Sequence, residues 1–212
     1  MSAARRAVLA LIATVACGGG GVPGPLPPDA GRATADDLPP VGYGTLKLDD
    51  IALLFETGDL RIRVLPLDER VIRLLAPDSY ESLHGLKRLR AAEIDSAARS
   101  YGVADPSLFS VSFYGLRERA QFTPEELTVQ SRGRFFRPFA YVPLSPRWGE
   151  RQAALRESAV AVALYESGMA LFEDELLVSY QGVTTRAWGQ IARVLNAERA
   201  AALSRAAAAG KR

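Results

Sequence analysis

Polar and apolar positions alternate most strictly at Leu60-Arg61-Ile62-Arg63-Val64-Leu65. A two-residue period puts the apolar set on one face of a strand and the arginines on the solvent face. The apolar run Ile51 to Phe55 precedes it, and Thr57-Gly58-Asp59 between the two supplies turn chemistry. Together they predict a hairpin closed by a three-residue loop. After Pro66 the period lengthens. Val71, Ile72, Leu74 and Leu75 are spaced for one helical face, with Asp68 as N-cap and Pro77 as a stop. Asp78-Ser79-Tyr80-Glu81 then reads as an acidic capping box, followed by Tyr80, Leu83, Leu86 and Leu89 at three-residue intervals. Residues 68–101 therefore predict a helical segment, broken near Gly85 or Ala91 and ended by Gly102. The only histidine, His84, lies on it and reads as a helix-surface residue.

From Ser107 the two-residue period returns. Leu108, Phe109, Val111, Phe113 and Leu116, with Ser110, Ser112 and Tyr114 between, predict a central strand. Leu127 to Ser131 predicts another short strand. Phe135, Phe136, Phe139, Tyr141 and Val142 follow, but Pro138 within the run argues for an edge strand or an irregular connection. Ala159 to Tyr165 reads as a buried strand, although its alanines permit helix, and Leu176 to Tyr180 reads as a strand. The last segment is helical, with Thr184 or Thr185 as cap and Trp188, Ile191, Val194 and Leu195 on one face; its alanine-rich end, Ala200 to Ala209, is expected to be exposed or frayed. About seven strands around one internal helical segment, with a C-terminal helix, predict an antiparallel β-sandwich. An immunoglobulin-like topology is one form of it. The alternative is a single antiparallel sheet with helices on one face.

The N-terminus has a different pattern. Arg5 and Arg6 precede the uncharged run Ala7 to Ala16, which ends at Cys17 and four glycines. Ten apolar residues are too few to span a bilayer, which takes about 20 in a helix, but they suit a removable export signal. Its last residues, Thr14-Val15-Ala16-Cys17, resemble the box of a bacterial lipoprotein signal, with Thr14 in place of the usual leucine. The resemblance implies cleavage before Cys17, a lipid on its sulfur, and, with Gly18 rather than aspartate next, sorting to an outer membrane facing the periplasm. The competing expectation is ordinary cleavage after Ala16, leaving a soluble exported protein. Residues 1–16 are thus read as signal and residues 17–44 as a lipid-anchored Gly/Pro linker. The span 18–44 holds eight glycines and six prolines. Residues 45–209 are read as one folded domain.

Charge changes the picture once the signal is set aside. Residues 1–16 carry Arg5 and Arg6 and no acid, so the remaining chain has 24 basic and 24 acidic side chains. A neutral domain without a basic excess is not a general nucleic-acid binder. A single cysteine excludes an intramolecular disulfide. There is no Gly-x-Ser-x-Gly elbow, no His-Glu-x-x-His, no phosphate loop and no calcium-loop spacing, so no catalytic residue, metal or cofactor is implied. Carboxylate-only chemistry needs two acids, and the acids at Asp49-Asp50, Glu125-Glu126 and Glu173-Asp174-Glu175 all sit in apparent turns.

Two classes of function follow. One is a non-enzymatic envelope lipoprotein that binds another envelope protein in an assembly or adapter role. The other is a carbohydrate-binding or carboxylate-based glycan-processing protein, expected to present a cleft lined by Trp148 or tyrosines. The densest candidate surface is Arg132 to Tyr141, where Arg132, Arg134 and Arg137 interleave with Phe135 and Phe136. Arginine and aromatic side chains are frequent interface anchors, and an edge strand lets them reach a partner. The competing reading puts the phenylalanines in the core and the arginines in solvent.

Overall fold

The computed structural model describes residues 38–210; the residues read as signal and most of those read as linker, Cys17 included, lie outside them. The described chain is mainly β, an antiparallel sandwich-like arrangement with helices. Eleven strands and five α-helices are present among the described residues. Several of the extra strands, beyond about seven expected, are pieces of two or three residues that only pairing defines.

The first sheet has five strands in the order β1 (Leu53–Thr57), β2 (Leu60–Pro66), β3 (Ser107–Gly115), β9 (Ser158–Tyr165) and β7 (Ala140–Pro143), antiparallel throughout. The expected hairpin is there, but Thr57 pairs directly with Leu60, so its loop is the two residues Gly58-Asp59. Gly58 takes a φ of 51° at the first loop position, where a side chain would be strained. β3 is central, as its alternation predicts. Phe109, Val111 and Phe113 are buried, and their partners on β9 are the alanines Ala163, Ala161 and Ala159. Large residues thus face small ones across the pair.

The second sheet has four strands in the order β11 (Val183–Thr185), β10 (Leu177–Tyr180), β5 (Thr128–Ser131) and β6 (Arg134–Phe136). Its inward residues Val129, Phe136, Val178 and Tyr180 meet the first sheet. The Phe113 ring stacks on Phe122 at 4.5 Å between centroids and lies 5.3 Å from Tyr180 and 5.7 Å from Trp148. This aromatic block joins the sheets, and each such side chain contributes about 1.5–3 kcal/mol by burial. A ribbon of β4 (Ala120–Gln121) and β8 (Gln152–Ala153) caps one end.

The internal helical segment is three helices, α1 (Glu69–Ile72), α2 (Pro77–Leu89) and α3 (Ala91–Ser100). Asp68 caps α1, accepting from the Arg70 N–H at 2.8 Å. Pro77 corrects the reading as a stop, because it opens α2 at the position where a missing N–H costs nothing. The break falls at Arg90, beside Ala91, and Gly85 lies inside α2. Ile94 and Ala98 are buried, and Tyr101 just beyond α3 packs on Phe139 with centroids 5.2 Å apart.

A short helix α4 (Arg147–Glu150) buries Trp148. The C-terminal helix α5 (Trp188–Ala209) has Ala187 as its N-cap residue rather than Thr184 or Thr185, both of which belong to β11. Its alanine-rich half is mostly exposed, as expected, but it is helical to Ala209 rather than frayed and is docked through Ala202 and Arg205. Ala202 is fully buried, and Arg205 donates to the Tyr43 carbonyl at 2.6 and 2.9 Å. Glu198 accepts from the Thr45 N–H at 2.8 Å and its hydroxyl at 2.9 Å. The packed chain therefore begins ahead of residue 45. Pro39 is buried, and Gly44 lies so close to Leu74 that a Cβ would sit 2.3 Å from its carbonyl carbon.

Candidate functional site

β5 and β6 form a hairpin through Arg132-Gly133. Both turn residues have positive φ, 51° and 74°, as a two-residue loop matched to strand twist requires. β6 is the outer strand of its sheet, so one of its sides has no strand beside it among the described residues. A strand alternates faces, and that alternation divides the candidate residues. Phe136 is 4 % exposed and lies in the core, so it is withdrawn from the interaction surface on which the sequence reading placed it. Phe135, next to it, is 69 % exposed on the outward face.

The three arginines also differ. Arg132 makes a two-point ion pair with Glu173, its Nε donating at 2.8 Å. The pairing holds the Glu173 carboxyl below the usual carboxylate range and raises the Arg132 guanidinium. Arg134 pairs with Glu166 and lies 4.8 Å over the Phe136 ring. Ser131, nearly fully buried, accepts from the Ala170 N–H at 3.1 Å. The hairpin is thus pinned at three points to residues 166–173, and two of its arginines are engaged within the chain. Arg137 is exposed and has no ion pair or hydrogen bond among the described residues. Beyond it, Phe139 is half-buried, and the Tyr141 hydroxyl donates to the Pro124 carbonyl at 2.5 Å.

Backbone geometry adds to the contrast. In a two-residue hairpin the closing pair, here Ser131 with Arg134, is the hydrogen-bonded one, and pairs alternate from there. Phe135, opposite Gln130, therefore points its own N–H and C=O away from β5, toward the open side. The exposed ring and these unpaired groups sit on one residue.

The glycan reading meets a different geometry. Trp148 is buried, its ring 5.1 Å from Tyr141 and 5.3 Å from Phe122, so it lines no open platform. Of the turn acids, Asp49 pairs with Arg63 at 3.0 Å, Glu125 with Arg151 at 2.7 Å, and Glu173 with Arg132. A cleft of about 470 Å³ lies between α1, α2 and the start of β3, with a floor including Leu67, Leu108 and Phe109. Glu69 on its lip is a hub. It meets Lys87 Nζ at 2.9 Å, His84 Nδ1 at 3.2 Å and Arg73 Nε at 3.3 Å. Burial raises the Glu69 pKa, but the three partners outweigh it and the net shift is downward. His84, which showed no partner in the sequence, also stacks on Tyr80 with centroids 5.2 Å apart. Tyr80 lies four residues before it on α2, a spacing the sequence contains, but the contact with Glu69 crosses to α1, fifteen residues back, and no local spacing announces it.

Among the described residues no group of His, Cys, Asp or Glu is placed to hold a metal ion, and no helix is long and apolar enough to cross a membrane. Comparison with protein-family models, with curated proteins and with solved structures finds no match for this chain.

Proposed function

We propose that this chain is a cell-envelope lipoprotein, anchored through a lipid on Cys17, whose sandwich binds another envelope protein in an assembly or adapter role. The docking surface is the open side of β6, centred on Phe135 and Arg137. The observation that carries this reading is the contrast between Phe135 and Phe136: one ring is sealed in the core while its neighbour stands in water on a strand paired on one side only. A large aromatic ring held in solvent by a pinned hairpin gains area only when something covers it. The lone cysteine behind a short apolar run supports the anchor.

Two substitutions test the reading in the full chain. Phe135→Ser combined with Arg137→Ser, followed by crosslinking in the native envelope, is expected to abolish capture of the partner that the parent chain retains. The melting temperature should stay within a few degrees, since both side chains are exposed. Unaltered capture by the folded double variant removes this surface from consideration. Separately, Cys17→Ala is expected to move the protein from the membrane to the soluble envelope fraction, and continued membrane fractionation would refute the anchor.

A further inference from the structure

Resting on that reading of the β6 surface, we infer that the partner binds by strand addition, contributing an extended, antiparallel segment in which a carboxylate stands two residues before a bulky apolar residue. The argument begins with register. Phe135 turns both its N–H and its C=O outward, so an added strand forms a closed pair of hydrogen bonds there. Arg132-Gly133 bounds this edge on one side and Pro138, which has no N–H, bounds it on the other. The added pairing is therefore short, and side chains must supply its specificity.

Face and charge then fix those side chains. Phe135 and Arg137 are two residues apart and project to the same outward face if the strand direction is continued by one residue. Across the sheet the row on this face runs from Phe135 to Gln130 and on to Leu177. An apolar side chain opposite Phe135 extends that row and covers the exposed ring. Opposite Arg137, two residues earlier in an antiparallel partner, a carboxylate meets a cation that has no partner among the described residues. Arg132 and Arg134 do not compete for it, because Glu173 and Glu166 already neutralise them. A second copy of this chain fits less well. Two β6 strands related by a two-fold axis at Phe135 would set Arg137 against Gly133 and offer it no acid.

The test uses the full chain, purified in detergent, and a fluorescently labelled, end-blocked hexapeptide with a Glu-Thr-Val core. Anisotropy is expected to show binding by the parent chain. Arg137→Glu should weaken it about tenfold, and a peptide with Lys in place of Glu should recover the loss on that variant. Methylating the valine amide should abolish binding, because it removes the hydrogen bond to the Phe135 carbonyl. Failure of the Glu peptide to bind, or binding that survives the methylation, overturns strand addition. So does concentration-dependent dimerisation that Phe135→Ser abolishes, which would give the edge to a second copy. The docking surface is judged apart from this. Loss of native partner capture in Phe135→Ser without peptide binding keeps the surface and rejects the strand mode.

Discussion

Phe135 and Phe136 are the same residue type, one peptide apart, and should respond oppositely to truncation. Phe136→Ala empties a site closed by Val129 and the Arg134 side chain, and a cost of about 3–5 kcal/mol is expected in denaturant unfolding. Phe135→Ser removes a solvated ring, so its cost should stay within about 0.5 kcal/mol. Tyr165 offers a second contrast. It is fully buried, its hydroxyl has no hydrogen-bond partner among the described residues, and burial pushes its pKa far up. An unsatisfied buried hydroxyl costs about 1–3 kcal/mol, so Tyr165→Phe should raise the unfolding midpoint rather than lower it. Glu69 links stability to pH. Its folded pKa lies below the unfolded value of 4.5, so its contribution is present above that value and fades as pH falls through the folded pKa. Glu69→Gln should therefore destabilise at neutral pH, and its gap from the parent should narrow as pH falls through the lowered folded pKa, as thermal melts would show.

At the scale of elements, period was a faithful guide where a strand is long and has one wet face. β2 and β3 declare themselves because Arg61, Arg63, Ser110 and Ser112 separate their apolar residues. β9 was legible as an apolar run, though its alanines left helix open until their pairing with Phe109, Val111 and Phe113 explained them. Short pieces were not legible, since two-residue β4 and β8 exist only through each other. Pro77 could be read either as the end of one turn or the start of the next, because proline is compatible with both. At the candidate site, Pro138 did mark an edge. What local sequence lacks is the partner of each arginine: Glu173 lies 41 residues from Arg132, and Glu166 lies 32 from Arg134. The second sheet's other hairpin supplies a test. Gln181 sits at φ 48° before Gly182 at 78°, a position that asparagine tolerates far better than glutamine. Gln181→Asn should stabilise the fold by up to about 1 kcal/mol, read as a rise of roughly 2–4 °C in Tm.

At the largest scale, the described residues are closed by contacts between their first and last elements. Arg205 on α5 holds the Tyr43 carbonyl, 162 residues away, and Glu198 holds both polar groups of Thr45. Shortening the chain to begin at residue 46 should therefore lower Tm measurably relative to a chain beginning at residue 38, with circular dichroism as the readout. The same clasp has a mechanical meaning. A protein tethered at its N-terminus and engaged by a partner elsewhere carries tension, which enters the fold along residues 38–45. Load there falls first on the Arg73 bond to the Pro39 carbonyl at 3.4 Å, then on the Arg205 and Glu198 bonds and on the Leu46–Leu74 pairing, in which Leu46 donates at 3.1 Å. The five-stranded sheet stands behind them. On the proposed anchoring, the bonds at residues 39–46 are expected to open before the five-stranded sheet does, lengthening the chain between anchor and fold while β6 keeps its shape.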